Sequence, residues 1–157
     1  MDRSVVVTGA GQGIGRACVE RLLADSWFVV GIELDEELAA GVDSAAGGSG
    51  AVVRGDVADP ETHLQGAARA REGAPLAGWV NNAGIGTRGT LHRPDTGAIR
   101  RVLDVNLGGT IWGCAAAAAA FVDQRSGARS STSRRSTAGG ASQTTPPTTP
   151  PRAVSTP

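Results

Sequence analysis

Short blocks rich in valine and isoleucine alternate along this chain with longer stretches whose apolar positions recur at helical spacing. Ser4 to Val7 opens the series as a continuous apolar run, which predicts a strand buried on both faces. Ile14 to Asp25 predicts a helix, with Ala17, Leu22 and Leu23 among its apolar positions. Trp27 to Ile32 predicts a second buried strand. A short helix starts at Glu36 to Ala40 and is broken by Gly47, Gly48 and Gly50. Ala51 to Arg54 is a third strand. Asp59-Pro60 is a helix start, with Asp as N-cap and Pro at the first helical position, and that helix should reach about Arg71. Leu76 to Val80 is a fourth strand, followed by a loop with Gly84, Gly86 and Gly89. From about Pro94 to Val122 the pattern is helical and passes through six consecutive alanines. Strands alternating with helices over short links predict βαβ units and a parallel sheet.

After Asp123 the composition changes. Residues 128–157 hold no acidic residue and no Leu, Ile, Phe or Trp, and Ser, Thr and Pro supply 18 of the 30 positions. Such a segment cannot bury enough apolar surface to offset its ordering entropy. The chain therefore divides into a folded part, 1–123, and a tail, 124–157, predicted to be disordered.

The whole chain has 157 residues and a formal net charge of zero, so no global charge favours nucleic acid or a membrane surface. No apolar run reaches the roughly 18 residues of a membrane span, so none is expected. Cys18 and Cys114 have no metal-like spacing and are expected to be buried thiols in a reducing, cytoplasmic compartment. His63 and His92 have no carboxylate or cysteine at ligand spacing, so they are expected on the surface and no metal site is expected. Trp79 and Trp112 are expected to fill the core.

The most informative segment is Gly9-Ala10-Gly11-Gln12-Gly13-Ile14-Gly15, between the first strand and the first helix. Glycines let a backbone turn tightly and approach a pyrophosphate, and the free N–H groups of the helix start favour its charge. An acidic residue, Glu33, ends the second strand at the spacing expected for a ribose-binding carboxylate. That carboxylate would repel a 2′-phosphate, Asp35 and Glu36 would add to the repulsion, and no Arg or Lys adjoins Glu33 in sequence. With the neutral Gln12 in the loop, these features favour NAD over NADP.

Thr8-Gly9-Ala10-Gly11-Gln12-Gly13-Ile14-Gly15 resembles the TGxxxGIG motif of the short-chain dehydrogenase/reductase family. Asp56-Val57 looks like that family's adenine-contacting pair, and Asn81-Asn82-Ala83-Gly84 is similar to its NNAG motif. Asn106, in Val105-Asn106-Leu107, looks like the helix asparagine of its catalytic tetrad, whose backbone carbonyl holds a water. The resemblance covers residues 4 to about 123. It implies a Rossmann-type doubly wound α/β fold with strands in the order 3-2-1-4, ending after the fourth strand and the helix that follows. It implies NAD held by Thr8, Gly9, Gly11, Gln12, Gly13, Ile14, Gly15, Glu33, Asp56, Val57, Asn82, Ala83 and Gly84, and a small alcohol or ketone as substrate. Homo-oligomers are usual for the family and are not expected of a chain this short.

The family also uses a serine on a fifth strand and a Tyr-x-x-x-Lys helix. This chain has no tyrosine, and all 15 of its basic residues are arginine, so Asn106 is the one tetrad member it offers. The tail suggests why. If residues from about Gly127 onward are read one base out of frame, each underlying codon takes its last two bases from the next written codon. With permitted wobble bases, Ala128 to Pro157 then decodes as AIVNISSIHGGRGFPNYAAYDASKGGVDA. The second serine of NISS falls 13 positions before the tyrosine of YDASK, and the lysine 4 after it. This frameshift is a hypothesis of translation logic, and resequencing the Ser126 and Gly127 codons tests it: it is wrong if no single-base change restores YDASK.

Overall fold

A computed structural model describes residues 1–87 and 92–135. Four strands, β1 (Ser4–Thr8), β2 (Phe28–Glu33), β3 (Gly50–Arg54) and β4 (Leu76–Val80), form one parallel sheet in the order β3-β2-β1-β4. This is the predicted order. Between them run α1 (Gly13–Ala24), α2 (Glu36–Ala46) and α3 (Pro60–Gly73). After β4 come α4 (Thr96–Val102), a π-helical turn (Leu103–Gly108) and α5 (Gly109–Arg135).

The alternation of side chains along each strand divides the core into two layers. Val6, Val30 and Ile32 pack with Ala67, Ala70 and Ala120 on one face, under α3 and α5. Val5, Val7 and Val29 pack with Val19 and Val42 on the other, under α1 and α2. Both faces being covered explains why the strands read as unbroken apolar runs. The helix starts are encoded locally: Asp35, Asp59 and Asp95 each accept a backbone N–H from the first turn of α2, α3 and α4.

Several expectations need correction. His63 is fully buried: α3 turns it onto the sheet, where Nε2 lies 2.8 Å from the Val57 carbonyl and Nδ1 has no partner. Trp112 is 40% exposed, because it projects from α5 on the side away from the sheet, whereas Trp79 is partly buried against the core. Cys114 is exposed and Cys18 half-buried, and both are free thiols. The helical pattern begins at Thr96, two positions after Pro94, because Asp95 caps it.

The stretch Thr96–Arg125 is also long and apolar enough, by length and composition, to cross a membrane. Residues 105–122 carry no charged side chain, so Asn106, Thr110 and the glycines interrupt the apolar run without making the stretch polar. In the fold this stretch is a core helix, packing on α3 and β4 through Ala116, Ala117 and Ala120. The backbone of α5 runs past Asp123 to Arg135. The rest of the expected tail, 136–157, lies outside the described residues, as does Gly89.

Candidate functional site

The glycine loop leaves the C-terminal end of β1 at the centre of the sheet, where the strand order reverses and ligands of open α/β sheets bind. Gly13 has φ +55, a left-handed conformation that glycine adopts without strain. Gly15 has no room for a side chain: a Cβ there would overlap the Gly9 carbonyl oxygen and approach Asn82 Nδ2 to 2.5 Å. The helix that follows starts differently from the others. No side chain caps α1, its N-cap is Gln12, and its first turn holds no acidic residue. The bare N–H groups therefore face the loop, where an anion would sit against the positive end of the helix dipole.

Thr8 and Asn82 tie the loop to β4. Thr8 Oγ1 accepts the backbone N–H groups of Asn82 and Ala83, each at 3.0 Å. Asn82 Nδ2 donates to the carbonyls of Thr8 and Gly9 at 3.0 and 3.1 Å. Two adjacent strand ends are thus locked together by polar groups that a parallel ladder leaves over at its C-terminal edge.

Glu33, at the end of β2, faces the same opening. Its Oε2 accepts the Gly11 N–H at 2.8 Å, and its Oε1 accepts those of Leu34 and Asp35 at 2.9 and 3.3 Å. The parallel register sets Arg54 of β3 beside Glu33, a neighbour that sequence adjacency cannot reveal. The Arg54 guanidinium is paired with Glu36 at 3.0 Å.

Asp56 and Val57 follow β3. Asp56 Oδ1 accepts the Ala58 N–H at 2.9 Å, and Oδ2 accepts from Arg101 Nη2 of α4 at 2.6 Å. Burial pushes the Asp56 carboxyl up, but the Ala58 N–H and the Arg101 guanidinium outweigh it and hold the group below its ordinary value. Arg101 was not singled out from the sequence; its contact is made across 45 residues and leaves no local signal.

Asn106 sits in the π-helical turn. Its amide brackets Ile85: Oδ1 accepts the Ile85 N–H at 2.8 Å and Nδ2 donates to the Ile85 carbonyl at 3.0 Å. Its own carbonyl accepts the Thr110 hydroxyl at 2.7 Å.

These parts enclose a cleft of about 330 Å³ lined by Gly9, Gln12, Glu33, Asp56, Asn82 and Arg101 among others. Thr8, Gly11, Gly13, Ile14 and Gly15 belong to the same loop but are not among the residues lining the cleft, and Ile14 is 77% exposed. Glycine cradle, uncapped helix start and acidic strand end together fit a dinucleotide.

The family model described as short chain dehydrogenase matches residues 3–140. The chain is 35% identical over 117 residues to 2-(S)-hydroxypropyl-CoM dehydrogenase 3 of Xanthobacter autotrophicus, covering 72% of this chain and 46% of that protein. It superposes on a short-chain dehydrogenase/reductase (glucose/ribitol dehydrogenase) from Brucella melitensis with a TM-score of 0.70 and 27% identity, over 75% of this chain and 52% of the other. An NADPH-bound carbonyl reductase from chicken fatty liver matches with a TM-score of 0.65 and 30% identity, over 73% of this chain and 50% of that one. The chain thus spans about half the length of the relatives it matches.

Proposed function

The chain belongs to the short-chain dehydrogenase/reductase family, and from that premise we propose that it is the NAD-binding half of an oxidoreductase acting on a small alcohol or ketone. When bound, the nicotinamide cofactor exchanges a hydride with such a carbon centre. The observation that carries the reading is the conjunction of the glycine cradle at Gly15, the uncapped start of α1 and the Glu33 carboxylate around one cleft.

In this reading the loop from Thr8 to Gly15 receives the pyrophosphate and Glu33 takes the adenosine ribose. Asp56 and Val57 meet the adenine, while Asn82, Ala83 and Gly84 line the way toward the nicotinamide. NAD is favoured over NADP because Glu33 faces the ribose and Arg54, the nearest cation across the sheet, is neutralised by Glu36. The chicken enzyme described as NADPH-bound shares the fold, so the choice rests on these side chains.

The chain of 157 residues has no tyrosine or lysine to supply the proton transfer, so it binds cofactor without turnover. The tail from about Gly127 is an out-of-frame reading of a fifth strand and a YDASK helix. The two free thiols fit a reducing cytoplasm.

Calorimetric titration of the purified chain with NAD and NADP tests the binding half; NAD should bind the more tightly, and absence of binding by either would reject it. NADH formation should be undetectable for this chain across a panel of secondary alcohols and should appear once the reading frame is restored by a single-base change. Turnover by the unrestored chain would reject the account of the tail and of the missing proton donor.

A further inference from the structure

One group in the cleft has no part in the reading above. Arg101 comes from α4, outside every motif, yet its guanidinium reaches Asp56 Oδ2 at 2.6 Å and lines the same cleft as Asp56, Val57 and Glu33. The Asp56 carboxylate is consequently held from two sides, by the Ala58 N–H on Oδ1 and by Arg101 on Oδ2. Two anchors on different oxygens fix the plane of the carboxylate. An ionised carboxylate is acceptor-only, so its remaining lone pairs at the cleft can reward a donor and only a donor. Among purines, adenine presents an amino donor at C6, where hypoxanthine and guanine present an oxygen and carry their donor one atom away at N1, so the direction of the acceptor decides between them.

We propose that Arg101 is a positioning residue for the base end of the site: by anchoring Asp56 it holds the carboxylate in one orientation and so selects a 6-amino-purine dinucleotide over a 6-oxo-purine one. This rests on the reading of the cleft as a dinucleotide site. Without Arg101 the carboxylate keeps one anchor, turns more freely and takes up a proton at higher pH. At neutral pH the group still stays ionised, so what is lost is its direction: a carboxylate free to turn can meet the N1–H of an oxo-purine as well, and discrimination falls along with affinity.

The test titrates the full 157-residue chain with NAD and with nicotinamide hypoxanthine dinucleotide, in wild type, Arg101→Met and Arg101→Lys. Wild type should prefer NAD by about tenfold, the size of one well-formed base contact. Arg101→Met should lose most of that preference, and the acid limb of its NAD-affinity profile should move to higher pH. Arg101→Lys should restore part of both. A carbon-NMR titration of the Asp56 carboxyl, run without cofactor, should show the same upward move in Arg101→Met. An unchanged carboxyl titration, or a wild type that binds both dinucleotides alike, overturns the inference and leaves the cofactor reading standing. A wild type that binds neither dinucleotide rejects the cofactor reading and this inference with it.

Discussion

Glu33 closes on the phosphate loop: its Oε2 accepts the backbone N–H of Gly11 at 2.8 Å while its other oxygen accepts from Leu34. One carboxylate therefore shapes the loop and, in the proposed reading, also faces the place of the ribose. Removing it should act on both. Glu33→Ser should weaken NAD about tenfold, the worth of a hydrogen bond to a charged group, and should raise NADP affinity by a comparable factor as the repulsion of a 2′-phosphate disappears. Parallel NAD and NADP titrations read the ratio. An unchanged ratio would mean that Glu33 serves the loop alone.

Gly15 and Gly13 separate two reasons for glycine in one motif. A Cβ at Gly15 would overlap the Gly9 carbonyl oxygen, which is backbone and cannot swing aside. Gly15→Ala should cost about 2 kcal/mol or more, through forced separation of loop and helix. At Gly13 there is open space, but φ is +55. Gly13→Ala should cost about 1 kcal/mol, from backbone strain alone. Urea unfolding of the two variants gives the comparison, and equal costs would contradict the crowding at Gly15.

Asn106 grips both backbone groups of Ile85. These two bonds tie the loop after β4 to the π-helical turn, so this amide sets the position of Ile85. Asn106→Ala should cost about 1–2 kcal/mol locally, since it leaves a donor and an acceptor without their partner. Hydrogen exchange at the Ile85 amide should accelerate roughly tenfold or more, with β1 amides unchanged. Exchange that rises equally everywhere would indicate global loosening and no local clamp.

How much of this was legible in the sequence follows from the range of the interactions involved. β4 matches its predicted bounds, Leu76–Val80, because a short apolar run between loops is a local signal. The Asp59-Pro60 start of α3 was readable for the same reason. The burial of His63 is not legible in the sequence, because one polar residue says nothing of which side of α3 meets the sheet. Arg54 and Arg101 were missed because register and tertiary packing bring them to Glu33 and Asp56 from elsewhere in the chain. The size of Trp112 suggests burial, yet it is 40% exposed, because size alone does not say which side of α5 meets the sheet.

The Asp56–Arg101 pair also makes stability depend on pH in a defined direction. The Asp56 carboxyl titrates below its ordinary value of 3.8 in the folded chain, so the unfolded chain takes up its proton first as pH falls. The pair's contribution is therefore complete well above 3.8 and is lost as pH falls through the lower folded value. Both side chains are partly exposed, so the contribution is small and screened by salt. The stability difference between wild type and Arg101→Met should be level from about pH 5 upward and should vanish in acid. Denaturant unfolding at several pH values measures it; a difference that grows toward low pH would contradict the depressed carboxyl.

Ile99, Leu103, Leu107 and Ile111 recur every four positions along α4, the π-helical turn and α5, and they are 37%, 53%, 57% and 51% exposed. Trp112 adjoins them. A stripe of this kind is larger than the scattered apolar residues of an ordinary surface and should drive association in water. The purified chain should therefore self-associate at micromolar concentration and bind a hydrophobic dye. Replacing Leu107 with Glu and Ile111 with Lys should shift sedimentation toward monomer without lowering the unfolding midpoint, since neither side chain is buried in the fold. A wild-type chain that sediments as a monomer and unfolds in one cooperative transition at ordinary temperatures would show that the stripe is tolerated in solvent.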